Sequence, residues 1–191
     1  ITESSLNVCI AGTHGKTTIT TMTAHLLRDS GFGSNAFLGG IAVNYNSNFW
    51  SSEKNICVVE ADEYDRSFLK LYPNIAVITA MDPDHLDIYG DALSMEQAFI
   101  DFSDQVREGG LLVTHATLKR GKELGKKTAL THLTYALKGP GPDVYAEGLI
   151  VENGAYEFDV ILPGRKLEKV RLNMGGLHNI ENALAAITVA S

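Results

Sequence analysis

The chain has 191 residues, 45% of them apolar and 20% charged, and its 16 lysines and arginines against 23 aspartates and glutamates give a net charge of −7. This composition excludes a disordered chain, and the length is enough for one domain of above-average size with a core of its own. No apolar run approaches the ~20 residues needed to cross a bilayer, and the acidic balance argues against a broad nucleic-acid-binding surface, which needs basic patches.

In chain order, apolar runs that end in polar loops alternate with helical segments. The predicted strands span 6–11, 55–61, 75–79 and 110–114, and the predicted helices span 17–28, 94–106 (with Ser94 and Gln97 as a capping box) and 178–190. This order predicts an α/β fold, a P-loop-type and mostly parallel sheet flanked by helices. From 131 to 174 the apolar residues alternate between turn signals, which predicts a small antiparallel β extension.

The sequence GTHGKTT, from Gly12 to Thr18, lies between the first strand and the first helix. Glycines let backbone N–H groups surround phosphate oxygens, and the helix that follows directs its positive end at the same anion. In such a loop Lys16 reaches the β- and γ-phosphates of a nucleotide and the Thr17 hydroxyl ligates Mg²⁺. Ile10 stands where the complete phosphate-loop pattern has glycine, so this is a variant form. The residues expected to bind the nucleotide are Gly12, Thr13, His14 (through its backbone), Gly15, Lys16, Thr17 and Thr18.

Acidic clusters follow the next two predicted strands, EADEYD at 60–65 and DPDHLD at 82–87. Carboxylates at the phosphate edge of a sheet repel a triphosphate unless a cation stands between them, and Mg²⁺ takes one or two carboxylates together with phosphate oxygens. We therefore expect Glu60, the first polar residue after the letters NICVV of its strand, to ligate Mg²⁺. His85 is expected to supply a nitrogen ligand to a second cation. Most of the remaining carboxylates are expected to be solvated or to cap helices.

Four motifs occur in order along the chain: GTHGKTT at 12–18, EADEYDRSF at 60–68, DPDHLDIYGD at 82–91 and GLHNIENALAA at 176–186. Together they resemble the central ATPase domain of the Mur ligases, which build the peptide stem of bacterial peptidoglycan. The resemblance extends from the first strand to the last helix. The THG of the loop and the EADEYD segment are similar to the branch of the family that acts on UDP-N-acetylmuramate.

The resemblance implies an enzyme, an ATP-dependent carboxylate–amine ligase of peptidoglycan precursor synthesis. In its reaction the lactyl carboxylate of UDP-N-acetylmuramate attacks the γ-phosphorus of ATP, and the amine of L-alanine then displaces phosphate from the acyl phosphate. Such phosphoryl transfer depends mainly on positioning and on neutralising charge. The implied cofactors are ATP and Mg²⁺, and the implied partners of the full-length enzyme are UDP-N-acetylmuramate and L-alanine.

The resemblance also implies a role for individual residues. The residues that carry the chemistry are Lys16, Glu60 and His85. Thr17 and Glu60 would hold one Mg²⁺, and Glu60 and His85 a second. The contacts to adenine would come from His178, Asn179 and Asn182. For Asn179, capping of the helix start remains an alternative.

Full ligases of this family carry a UDP-binding domain before this segment and an amino-acid-binding domain after it. We therefore expect residues 1–191 to be the central domain alone, which binds Mg-ATP without ligating. Two alternatives remain open: a ligase that joins a whole tripeptide to the same sugar nucleotide, and a non-catalytic nucleotide-binding module. Cys9 and Cys57 lie in apolar runs, which predicts buried, reduced thiols in a cytoplasmic protein. No nucleic-acid or membrane partner is expected.

Overall fold

The computed structural model describes residues 4–83, 86–126, 129–137 and 141–191, and for 86 and 87 it describes the backbone. The central sheet contains β1 (Leu6–Ala11), β2 (Asn35–Ala42), β3 (Ser47–Trp50), β4 (Ile56–Glu60), β5 (Ile75–Ile78), β6 (Leu111–His115) and β7 (Thr131–Tyr135). A second sheet contains β8 (Tyr145–Glu152), β9 (Ala155–Leu162) and β10 (Arg165–Leu172). The helices are α1 (Lys16–Asp29), α2 (Leu86–Tyr89), α3 (Ala92–Ser103) and α4 (Leu177–Ala190).

The order of the strands brings three loops to one edge of the central sheet. The order is β3-β2-β4-β1-β5-β6-β7, so that β1 lies between β4 and β5. β3 pairs antiparallel with β2, whereas the other neighbouring pairs are parallel. Because the carboxyl ends of parallel neighbours meet at the same edge, the loops after β1, β4 and β5 begin side by side. The predicted mostly parallel sheet and the antiparallel extension are both confirmed.

Three details differ from the sequence predictions. β2 and β3 were not predicted, because β2 contains the Gly39-Gly40 pair and β3 is a four-residue edge strand. β7 belongs to the central sheet, where it pairs parallel with β6, so the antiparallel extension is confined to β8, β9 and β10. α3 begins at Ala92 rather than Ser94, because the Asp91 carboxylate caps the helix by accepting from the Ser94 N–H at 2.7 Å.

The core lies on both faces of β1, whose side chains alternate between two clusters. Val8 and Ile10 pack on the face covered by α1 and α4, and Cys9 and Ala11 pack on the face covered by α3. Burial on both faces explains why this strand is a continuous apolar run. Cys9 and Cys57 are free and buried, as predicted, and burial raises the pKa of Cys9 to about 12. None of the helices in the described part of the chain combines the length and apolarity that a membrane crossing requires.

Three aromatic rings join the segment after β4 to α3. Phe68 lies 5.4 Å from Phe99 and 5.1 Å from Phe102, measured between ring centroids, and all three rings are buried. Phe68 lies three residues after Asp65, the last residue of the acidic segment 60–65. Its burial therefore fixes the end of the loop that carries the candidate site carboxylates.

We expect Phe68→Ala to lower the free energy of unfolding by about 3–5 kcal/mol, because it leaves a cavity between the rings of Phe99 and Phe102. Urea denaturation followed by circular dichroism measures the change. The matched control is Phe32→Ala, since the Phe32 ring is 57% exposed and its removal should alter the stability by no more than ~0.5 kcal/mol. Equal losses in the two variants would contradict the assignment of Phe68 to the core.

Candidate functional site

The phosphate loop rests on the end of β5. Gly12 has φ +123°, and a Cβ there would lie 2.8 Å from the Ala80 backbone nitrogen, so the loop passes too close to the β5 end for any other residue. The Thr13 N–H donates to the Ala80 carbonyl at 3.2 Å. The Thr79 hydroxyl donates to the His14 carbonyl. Contacts with the neighbouring strand therefore hold the loop from Gly12 to His14.

Each of the first two residues of α1 contacts a carboxylate at the end of β4 or in the segment that follows it. The Lys16 Nζ lies 2.7 Å from the Glu63 Oε1, and the Thr17 hydroxyl donates to the Glu60 Oε1 at 3.0 Å. The other oxygen of Glu60 accepts from the Gly39 N–H at 2.8 Å. A Cβ at Gly39 would lie 2.6 Å from that oxygen, so glycine is required for the approach. Lys16, Thr17 and Glu60 were predicted to lie together, and the structure brings them together.

Glu63 is a site residue that the sequence analysis did not single out. It is fully buried, with an exposed fraction of 0%, and its Oε2 has no hydrogen-bond partner among the described residues. The neighbouring carboxylates Asp62 and Asp65 are exposed and accept from the N–H groups of the turn, Tyr64 and Ser67. Nothing in the letters EADEYD distinguishes these roles, because they depend on which way each side chain leaves the loop.

The donor set at the start of α1 fits a magnesium ion. The Thr17 hydroxyl and the Glu60 carboxylate are hard oxygen donors 3.0 Å apart, and Mg²⁺ takes few protein ligands and completes its shell with phosphate and water. Among the described side chains, no group of three histidines, cysteines, aspartates or glutamates forms a metal-binding cluster. His85, predicted as a ligand of a second cation, lies outside the described residues, and that assignment stays a prediction.

The start of α4 lies directly against the phosphate loop. A Cβ at Gly15 would lie 2.7 Å from the Asn182 Oδ1. The Asn182 Nδ2 donates to the Asn179 Oδ1 at 3.1 Å, and the Asn179 Nδ2 donates to the Gly175 carbonyl at 2.7 Å. Asn179 is buried and supports the helix start, while His178 is exposed. The structure thus brings the two distant motifs together, as expected if both contact one ligand.

A cavity of about 670 Å³ lies between these two motifs. It is lined by His14, Gly15 and Thr18 of the loop, by 79–83 after β5, by His178, Asn179 and Asn182 of α4, and by residues after β6. Its volume is in the range that holds a nucleotide-sized ligand. The His14 ring is exposed and lies 3.7 Å from the Asp82 Oδ2, at the rim.

Glu181 also lines this cavity, and the sequence analysis did not single it out. Its Oε1 lies 3.2 Å from the His115 Nε2 and accepts from the Leu137 N–H at 3.3 Å. His115 in turn packs edge-on against Tyr135 of β7. Glu181 therefore joins α4 to the ends of β6 and β7 and fixes the shape of the cavity there.

The site combines a glycine loop at the end of a central parallel strand with a helix that begins at a lysine and a threonine. The adjacent strand contributes a carboxylate. This combination defines a P-loop-type nucleotide-binding domain. The model of the Mur ligase middle domain matches residues 10–190, and the chain belongs to the Mur ligase family.

Similar sequences and similar solved structures both support this family assignment. The chain is 41% identical, over all 191 of its residues, to the UDP-N-acetylmuramate–L-alanine ligase of Flavobacterium psychrophilum. Among solved structures, it is similar to the UDP-N-acetylmuramate:L-alanyl-gamma-D-glutamyl-meso-diaminopimelate ligase of Neisseria meningitides (TM-score 0.85, 27% identity, 100% of this chain and 62% of that one). It is also similar to the UDP-N-acetylmuramate-alanine ligase of Thermotoga maritima (TM-score 0.80, 28% identity, 98% and 41%). The chain spans 40% of the length of the Flavobacterium relative.

We expect Gly12→Ala to destabilise the protein more than Gly31→Ala does. Both glycines have positive φ, +123° and +76°, but nothing lies within 4 Å of a Cβ at Gly31, whereas one at Gly12 meets the backbone after β5. Strain alone costs about 1–2 kcal/mol, and the clash at Gly12 adds about 1–3 kcal/mol. Chemical denaturation without ligand measures both. Equal costs would mean that the loop does not press against Ala80.

Proposed function

We propose that this chain is the Mg-ATP-binding central domain of a ligase that joins L-alanine to the lactyl carboxylate of UDP-N-acetylmuramate. The observation that carries the proposal is the position of Lys16 and Thr17, at the start of a helix and within hydrogen-bond distance of carboxylates from the adjacent strand end. The relative at 41% identity, which carries the name of this activity, supports the choice of substrates.

The phosphate loop binds the triphosphate of ATP. Backbone N–H groups of 12–18 and the positive end of α1 face the phosphates, and Lys16 binds the β- and γ-phosphates. Thr17 and Glu60 would hold Mg²⁺, which would supply positive charge to neutralise the phosphates during phosphoryl transfer. His85 would be a ligand of a second cation. His178, Asn179 and Asn182 line the adenine side of the cavity.

We propose that residues 1–191 form one of three domains and that the sugar nucleotide and the amino acid are held mainly by the other two. The ligation step requires the carboxylate, the γ-phosphate and the amine in one fixed geometry. The chain by itself therefore binds Mg-ATP and does not form the amide bond. We assign the reaction to the cytoplasm, where the two free thiols stay reduced.

A second candidate is the ligase that joins a whole tripeptide to the same sugar nucleotide. The TM-score of 0.85 with the Neisseria structure favours it, whereas the identity of 41% with the Flavobacterium relative, against 27%, favours the alanine ligase. The two share one chemistry at the nucleotide. An enzyme containing this domain, supplied with UDP-N-acetylmuramate and ATP, distinguishes them by accepting L-alanine or the tripeptide.

We expect calorimetry to detect binding of Mg-ATP to this chain, and Lys16→Gln to weaken it by about tenfold or more, because charge-assisted bonds to phosphate are lost. Binding of AMP, which lacks the β- and γ-phosphates, should be unchanged. Undiminished Mg-ATP binding by Lys16→Gln would remove Lys16 from the phosphate site.

We expect Glu60→Gln to raise the Mg²⁺ concentration needed for half-maximal ATP binding by about tenfold, because a neutral amide is a weaker magnesium ligand than a carboxylate. Titration of Mg²⁺ at constant ATP measures the shift. Asp62→Asn is the matched control: it removes the same charge two residues away, where the side chain is exposed. An equal Mg²⁺ dependence in both variants would exclude Glu60 as a ligand.

A further inference from the structure

Lys16 and Glu63 form an ion pair that is almost entirely shielded from water. The exposed fractions of their side chains are 16% and 1%, and the distance from Nζ to Oε1 is 2.7 Å. The second oxygen of Glu63, Oε2, is buried and without a hydrogen-bond partner among the described residues. Lys16 is therefore the one cation on which the charge of this carboxylate depends within the described contacts.

The dependence of Glu63 on Lys16 determines whether the ion pair can persist when the phosphates of a nucleotide bind. If Lys16 left Glu63 for the phosphates, both carboxylate oxygens would remain buried without a donor. Removing one partner of a buried pair is strongly destabilising, and this cost would oppose nucleotide binding. An ammonium group has three N–H donors. Lys16 can keep one on Glu63 and direct the other two at phosphate oxygens.

The backbone that carries Glu63 is held in place from α2. The Tyr89 hydroxyl donates to the Glu63 carbonyl at 2.5 Å, and the Arg66 N–H donates to the same carbonyl at 3.0 Å. Tyr89 is buried, and its burial raises the pKa of the phenol, so the hydroxyl stays protonated as a donor. The Arg66 guanidinium lies 4.8 Å from the centre of the Tyr89 ring. Glu63 is thus presented to Lys16 by a rigid segment.

We infer that Glu63 is a positioning residue that holds the ammonium group of Lys16 in the phosphate loop, both before and after the nucleotide binds. The inference rests on the proposed nucleotide site. In this role Glu63 contacts no phosphate. It acts through Lys16, so its effect grows with the number of phosphates that Lys16 reaches.

The test compares AMP, Mg-ADP and Mg-ATP binding by the unsubstituted chain and by Glu63→Gln. We expect Glu63→Gln to weaken Mg-ATP binding by about tenfold, to weaken Mg-ADP binding, and to leave AMP binding, followed by ligand-observed NMR, unchanged. Glu63→Asp, which keeps the charge on a shorter side chain, should recover part of the affinity. The matched control is Asp65→Asn, which removes the same charge from the same loop at an exposed position.

The outcomes separate the possible roles. Mg-ATP binding by Glu63→Gln that equals or exceeds that of the unsubstituted chain would overturn the inference, because Glu63 would then compete with phosphate for Lys16. Loss of AMP binding together with Mg-ATP binding would also overturn it, because Glu63 would then support the fold. If Asp65→Asn weakened Mg-ATP binding as much as Glu63→Gln does, the inference would also be overturned, because the loss would then follow from net charge and not from the contact with Lys16. Failure of the unsubstituted chain to bind Mg-ATP would contradict the proposed function itself, and the inference with it.

Discussion

The site depends on one local constraint: the first turn of α1 is bonded to the end of the neighbouring strand β4 and to the loop that follows it. Glu60 bonds Thr17 and Glu63 pairs with Lys16, so two successive helix residues are held by two carboxylates three residues apart. A lysine side chain has many rotamers, and fixing it in advance lowers the entropy lost on binding. Under the proposed function, Lys16 therefore needs little rearrangement to bind a triphosphate.

The architecture follows from patterns that are visible in the sequence. β1, β4, β5 and β6 are buried on both faces, so each is a continuous apolar run that local pattern alone identifies. β7 is the edge strand of the same sheet and is less buried than the central strands. In THLTY the apolar Leu133 and Tyr135 alternate with polar residues, as they would in an antiparallel strand. That alternation is why β7 was assigned to the extension. Asp91 took the capping role because it precedes the helix by one residue, which a Ser–Gln spacing does not reveal.

The site was predictable where its function depends on residue type and not where it depends on orientation. Lysine and threonine after a glycine loop have one well-defined chemistry, and Glu60 stands at the end of an apolar strand. Glu63 is the same residue type as Glu60 in the same motif, and its burial is set by the turn at 62–66 and by Tyr89. From the sequence alone, Glu181 would likewise be predicted to be an exposed helix residue. Its contacts come from the end of β6 and from the segment after β7, which are distant in the chain. His85 stays a prediction.

The two thiols of the central sheet give the protein an internal reporter of its integrity. Cys9 and Cys57 lie on adjacent strands, both buried, and burial raises the pKa of each. Alkylating reagents require an accessible thiolate, so neither sulfur reacts while the middle of the sheet is intact. Opening of the surface loops leaves both protected, whereas separation of β1 from β4 exposes both. The rate at which such a reagent adds mass therefore reports on the separation of β1 from β4, and the measurement needs no ligand.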